Sequence, residues 1–227
     1  MNGDCLQDLI RRGGRVEVGT TGLYVDESGV SILDATDWPE RLIEKAGRTC
    51  YRTECKGDPG AFVRMLIERG HESVLEHAKA TLRFVVDRGV SHELVRHRLA
   101  SFSQESTRFC NYSQDRLGGI TVIPMLDGLT DAQLDARIAL YEHAQKVYLD
   151  EVAAGIKPQQ ARDNLPTCLR TEVVMTANAR EWRLVMNQRM APAAHPAMRK
   201  AMFEACALLK GWAPNVFHGA NFQGTRL

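Results

Sequence analysis

The chain has 227 residues, with 29 Lys and Arg against 28 Asp and Glu, so its formal net charge is +1. An apolar fraction of 44% and a charged fraction of 25% are those of an ordinary globular chain, and a chain of this length buries roughly 70% of the surface it exposes when unfolded. That balance excludes global disorder, and it disfavours a dedicated nucleic-acid coat, which needs a basic surplus to neutralise phosphate.

Residues 1–14 read as a loose leader without the apolar core of a signal peptide, so the chain is expected in the cytoplasm. No run approaches the roughly eighteen apolar residues of a membrane helix. Val16 to Val25 carries alternating β-formers, and Val30 to Leu33 is a short strand. Trp38-Pro39 opens a helix over 39–49 with Leu42, Ile43 and Ala46 on one face. Asp58-Pro59-Gly60 starts a second helix, Asp as N-cap and Pro at the first helical position; it carries Phe62, Met65 and Leu66 and ends at Gly70. Ala80 to Val86 is a strand, closed by Asp87-Arg88-Gly89. A short helix follows from Ser91, as its cap, to about Arg98. Residues 99–113 are polar and Ser-rich, with Phe102, Phe109 and Tyr112 interleaved. Ile120 to Pro124 is a further strand.

Thr130 to about Ala154 is a long amphipathic helix, with Leu134, Ile138, Tyr141, Ala144, Tyr148 and Val152 on one stripe. Gln159 to Asn164 is helical and stops at Leu165-Pro166. Thr171 to Thr176 is strand-like, and helices run over about 180–189 and 195–211. Neither an internal repeat nor a linker is visible, so the pattern predicts one α+β domain over 1–227. The six cysteines, Cys5, Cys50, Cys55, Cys110, Cys168 and Cys206, are scattered without a CxxC pair. Reduced, mostly buried thiols are the plain reading.

The densest polar cluster is Arg96 to Arg108, with three arginines, a histidine and three serines. Arg forms bidentate bonds to phosphate and carboxylate, and Ser hydroxyls add neutral donors. Taken alone, an R-x-R pair is more often a solvated basic turn. Two function classes can be set against such a cluster from the residues alone: a non-catalytic nucleotide or RNA binder in which aromatics stack on bases, and a metal-dependent nucleotide hydrolase built on His71, His77, His92 and His97. The last finds no carboxylate-rich metal spacing. H-E-x-x-H would need His where Leu75 stands, and H-x-x-E-H would need His where Ser73 stands.

Arg96-His97-Arg98, seven residues and then Ser106 resemble the signature of the flavin-dependent thymidylate synthases. Gly70-His71-Glu72-Ser73-Val74-Leu75-Glu76-His77 upstream is similar to that family's G-H-x-S/T-x-x-E-H segment. Leu165-Pro166, Thr171-Glu172, Asn178-Ala179-Arg180-Glu181-Trp182 and Ala194-His195-Pro196 with Arg199 resemble its later blocks. The likeness covers about residues 40 to 210. It implies the family's α+β fold, a mixed sheet with packed helices and a helical C-terminal half.

The resemblance also implies an activity: reductive methylation of dUMP to dTMP, with 5,10-methylenetetrahydrofolate as carbon donor and FADH2, restored by NADPH, as hydride donor. It implies a homotetramer with active sites between subunits, and no nucleic-acid or membrane partner. Ser73, Arg96, His97, Arg98 and Gln104 would contact FAD, joined by Asn187, Arg189 and His195, of which Asn187 and Arg189 come from a neighbouring subunit. Glu93, Arg96, Gln104, Glu105, Ser106, Thr107 and Arg108 would face the nucleotide. Glu76 and His77 would order the loop below the flavin. Arg199 matches the arginine that activates uracil. Some members carry an arginine where Glu172 stands; residues i and i+2 of a strand share a face, so Arg170 could substitute. Without a G-x-G-x-x-G after a strand, FAD should not bind in Rossmann style. Ser106 lacks a G-x-S-x-G elbow and reads as a ligand-binding hydroxyl. Cys168 lacks the Pro-Cys-His context of the classical, unrelated thymidylate synthases and reads as a bystander.

Overall fold

The computed structural model describes residues 15–18, 22–55, 57–114 and 118–218. The leader read over 1–14, with Cys5, lies outside the described residues. The chain divides into two compact units, both discontinuous: one takes residues up to 28, 85–92 and 104–173, the other 29–84, 93–103 and those from 174 onward.

The first unit is built on a three-stranded mixed sheet. Strand β1 (Val16–Val18) pairs antiparallel with β2 (Leu23–Val25), with Val16 opposite Val25. Strand β6 (Thr121–Val122) runs parallel to β2 on its other side. The alternating run from 16 to 25 is therefore two short paired strands, and Gly22 at φ 72° opens the second. A 23-residue helix, α4 (Asp131–Ala153), belongs to the same unit, and Thr130 and Gln133 close a capping box at its start. Tyr141 and Tyr148 of the expected stripe are buried, and Leu134, Ile138 and Val152 pack at the margin of the same core. Gln145 is also buried, a polar residue the stripe did not include. Its Oε1 accepts the Ile120 N–H at 2.7 Å. Beside it Gly119 sits at φ 107°, where a Cβ would come within 2.8 Å of Gln145 Oε1 and of the Gly22 carbonyl. A short helix, α5 (Pro158–Ala161), and a 3-10 turn (Arg162–Asn164) then lead to the Leu165-Pro166 stop.

The second unit holds the larger part of a four-stranded sheet of order β3-β4-β7-β5. These are β3 (Gly29–Ala35), β4 (Lys79–Asp87), β5 (Ala100–Gln104) and β7 (Arg170–Asn178). Alternation is strict in β4, where Ala80, Leu82 and Phe84 are buried, and in β7, where Met175 and Ala177 are. Helices α1 (Pro39–Thr49) and α2 (Pro59–Glu68) start where their prolines predict, and Asp58 accepts from the N–H groups of Gly60 and Ala61. The C-terminal helices are α6 (Ala179–Arg189) and α7 (Pro196–Trp212). Trp182 of α6 is fully buried and donates its indole N–H to the Ala80 carbonyl at 3.1 Å.

Four expectations need correction. The thiols are not mostly buried: among the described cysteines Cys206 is buried, Cys110 and Cys168 are half-buried, and Cys50 and Cys55 are exposed. Helix α1 buries Ile43, Glu44 and Gly47, whereas Leu42 is exposed. Glu44 can be buried because Arg41 and Arg48 each meet it at 2.8 Å. Helix α3 spans Arg88–Leu94, three residues earlier than expected. Asp87 accepts the Val90 N–H at 2.9 Å, so strand passes directly into helix, and the Ser91 hydroxyl donates back to the Arg88 carbonyl. The Ser-rich run contains strand β5. It lies at the end of its sheet, where exposed Ser101 and Ser103 carry no burial penalty.

Candidate active site

In the second unit the chain leaves α3 at Leu94 and turns through Arg96-His97-Arg98. The two arginines are exposed, and their side chains have no acidic partner among the described residues. His97 between them is 5% exposed. Its Nε2 accepts the Arg189 Nε–H at 3.0 Å, and its Nδ1 faces Glu181 Oε1 at 3.6 Å. Burial, and then the Arg189 charge, lower the imidazole pKa from 6.5 to about 4, so His97 is neutral at physiological pH. Arg189, the last residue of α6, also donates to Glu93 Oε2 at 2.7 Å and to the Glu93 carbonyl at 2.9 Å. The structure therefore brings together three residues singled out from sequence: Glu93, His97 and Arg189. Burial pushes the Glu181 carboxyl up.

Ser73 is exposed on a 3-10 turn, Glu72–His77. The turn is tied to α6 by Arg180, 2.7 Å from Glu76, and by Arg183, 3.4 Å from Glu72. These residues line a cavity of about 500 Å³, together with Leu99, Asn178, Glu181, Leu184 and Asn187. Asn187 is exposed on that wall. His195 stands at the start of α7, exposed and without a capping bond from its side chain. Arg199 follows one turn later, its guanidinium 5.6 Å over the Phe203 ring. Its Nε is buried without a hydrogen-bond partner, as is that of Arg183. An orphaned buried N–H costs free energy and suits a site completed by an external acceptor.

In the first unit, Gln104 donates from Nε2 to the Ser91 hydroxyl at 2.9 Å and to Thr171 at 3.3 Å. The Glu105 carboxylate accepts the Tyr112 hydroxyl at 2.9 Å. Burial, and then the Glu105 charge, raise the Tyr112 pKa, so this phenol keeps its proton. Ser106 Oγ accepts the Arg108 N–H at 3.3 Å. Thr107 is buried and accepts from Arg162, while Arg108 is exposed over the Phe109 ring. Arg170 meets Glu172 at 2.6 Å, Asp26 at 3.3 Å and Glu105 at 3.9 Å. With three carboxylates around it, its charge is more than balanced by protein groups. Burial raises the Cys168 thiol pKa and keeps it protonated, which argues against a nucleophilic role.

Sequence reasoning missed Glu181, Ser91 and Thr171. Glu181 carried a usable signal: it lies one and four residues before Trp182 and Val185 on the buried side of α6. The partners Ser91 and Thr171 are far from Gln104 in sequence and carried none.

A family profile described as thymidylate synthase complementing protein matches residues 31–215. A flavin-dependent thymidylate synthase from Geobacter sulfurreducens is 31% identical over 201 residues, covering 84% of this chain and 86% of the relative. One from Corynebacterium glutamicum is 36% identical over 219 residues, covering 89% and 88%. The crystal structure of the UMP/dUMP methylase PolB from Streptomyces cacaoi, bound with 5-Br dUMP, shares the fold with a TM-score of 0.72 at 21% identity. The likeness covers 87% of this chain and 96% of that one.

Proposed function

Because the chain belongs to the family of flavin-dependent thymidylate synthases, we propose that it methylates dUMP reductively to dTMP, with 5,10-methylenetetrahydrofolate as carbon donor and NADPH as reductant of FAD. The observation that carries this reading is the neutral, buried His97 between two exposed guanidiniums, with Arg189 locked to it. Those residues fit FAD: Arg96 and Arg98 suit its diphosphate or a negatively charged flavin ring, and a neutral imidazole adds no third charge. When bound and reduced, FAD supplies the hydride.

The chain's own residues do the rest by position and charge. Arg199 would hold the uracil edge at N3 and O2. A guanidinium there stabilises the N3-deprotonated ring and raises electron density at C5, which is otherwise a poor nucleophile. The orphaned Arg199 Nε supports a role that needs an external acceptor. Ser106 and Arg108 would bind the nucleotide as hydroxyl and cation. An enzyme nucleophile is not required, and Cys168 is held protonated. Arg170 would serve the site by ordering Glu105.

The chain passes five times between its two units, which supports treating them as one domain. The assembly would be a homotetramer in the cytoplasm, without nucleic-acid or membrane partners. Among the described residues, no helix is long and apolar enough to cross a membrane. The deciding measurement is the visible spectrum of the purified protein, repeated anaerobically with NADPH and dUMP and followed by a dTMP assay. Flavin bands that bleach, with dTMP formed when folate is added, are the expected result. A colourless protein that cannot take up FAD would sink the reading.

A further inference from the structure

Glu181 is a buried carboxylate that the reaction described above leaves unused. Only 4% of the residue is exposed, on the face of α6 that carries Trp182 and Val185. The helix does not need it as a cap, because Asn178 Oδ1 already accepts the Glu181 N–H at 2.8 Å. A carboxylate kept in such surroundings costs free energy, so its position asks for a compensating role.

The neighbouring hydrogen bonds supply one. A guanidinium has donors and no acceptor, so the Arg189 Nε–H at 3.0 Å requires a lone pair on His97 Nε2. A neutral imidazole then carries its proton on Nδ1, the atom that faces Glu181 Oε1 at 3.6 Å. That separation exceeds a hydrogen bond by a few tenths of an ångström, so the pull is electrostatic. Arg189 in turn spends three of its five N–H bonds on His97 and on two oxygens of Glu93. The other tautomer would set His97 Nε2–H against Arg189 Nε–H, two donors facing each other, and would push the guanidinium off this pose.

We propose that Glu181 is a positioning residue: it selects the Nδ1–H tautomer of His97, and His97 so held fixes Arg189 with its two remaining N–H bonds free for the flavin. The inference rests on the reading that His97 and Arg189 serve FAD. Replacing Glu181→Leu keeps the buried bulk and removes the charge. The thermal midpoint should hold or rise, while FAD affinity, followed by quenching of flavin fluorescence, should weaken about tenfold. Glu181→Gln keeps an acceptor oxygen and should restore most of that affinity. A side chain that served packing alone would move stability and affinity together. Unchanged FAD affinity in the Leu variant overturns the proposal. If that variant does not fold, histidine nitrogen NMR of the flavin-free Arg189→Ala variant decides, because the Arg189 N–H no longer sets the tautomer there: Nδ1–H on His97 supports the proposal, and Nε2–H overturns it. A wild type that binds no FAD at all would sink the functional reading instead, and the tautomer would still judge Glu181.

Discussion

His97 couples the site to pH through its burial. The unfolded imidazole takes up a proton near pH 6.5 and the folded one only near about 4. Between those values acid is absorbed by the unfolded chain alone. The stability His97 confers is therefore full above pH 6.5 and is lost as pH falls to about 4, by roughly 3 kcal/mol in total. Glu181 acts in the opposite sense. Its folded pKa is raised by burial, so its share of stability is present at low pH and is lost as pH rises through the folded value. Urea midpoints of wild type minus His97→Gln, taken at about pH 7 and about pH 5, should differ by less at the lower pH; an equal difference would mean that folded His97 titrates as it does unfolded. Arg199 gives a second prediction at this scale. Lysine keeps the charge and loses the planar fork, so Arg199→Lys should lower the rate of dTMP formation about 10²–10³-fold with FAD uptake retained. Equal losses in both would place Arg199 in cofactor binding. The arginines and His97 were legible because they crowd thirteen consecutive residues. The burial of Glu181 had a local signal beside Trp182 and Val185, but its pairing had none, because His97 lies 84 positions away in sequence.

Elements were legible in proportion to how local their signals are. Helices α1, α2 and α4 begin where Pro39, Asp58-Pro59 and Thr130 predict, since capping is settled within one turn. Local signals misled at α3, where Asp87, read as part of the strand's end, stands four residues before the expected cap Ser91. Asp87 wins because its carboxylate reaches the first-turn N–H of Val90, and Ser91, once inside the helix, bonds back to Arg88. Strand β5 was hidden for a different reason: at the sheet edge it alternates only between half-buried and exposed residues, so no fully buried face gives it an apolar period. Asp87→Ala removes the acceptor at the strand-to-helix junction that leads to Glu93. It should lower stability by about 1 kcal/mol, read from urea unfolding. It should also weaken FAD binding, because Glu93 clamps Arg189. Unchanged unfolding would show that the Val90 contact is replaced by water.

At the scale of the whole molecule, the order of the sequence blocks carried more than any single motif, since R-H-R alone is a common basic turn. Composition and periodicity said nothing of FAD, whose proposed contacts come from separate elements and leave no contiguous fingerprint such as G-x-G-x-x-G. The surface carries a related signal. Leu99 is 75% exposed and Leu184 44%, and both line the same cavity as Asn187 and Arg180. Apolar side chains of that size beside a charged cavity are what a subunit contact covers. The proposed tetramer would then complete the site as well as bury its rim, and activity should depend on assembly. Diluting the enzyme through its dissociation range, with species followed by analytical ultracentrifugation, should lower specific activity in step with the tetramer fraction. Mixing two inactive variants, Arg189→Ala and Arg108→Ala, should restore part of the activity if the two side chains act from different subunits, because mixed assemblies then contain intact sites. A proven monomer with full specific activity would show instead that one chain supplies every group the reaction uses.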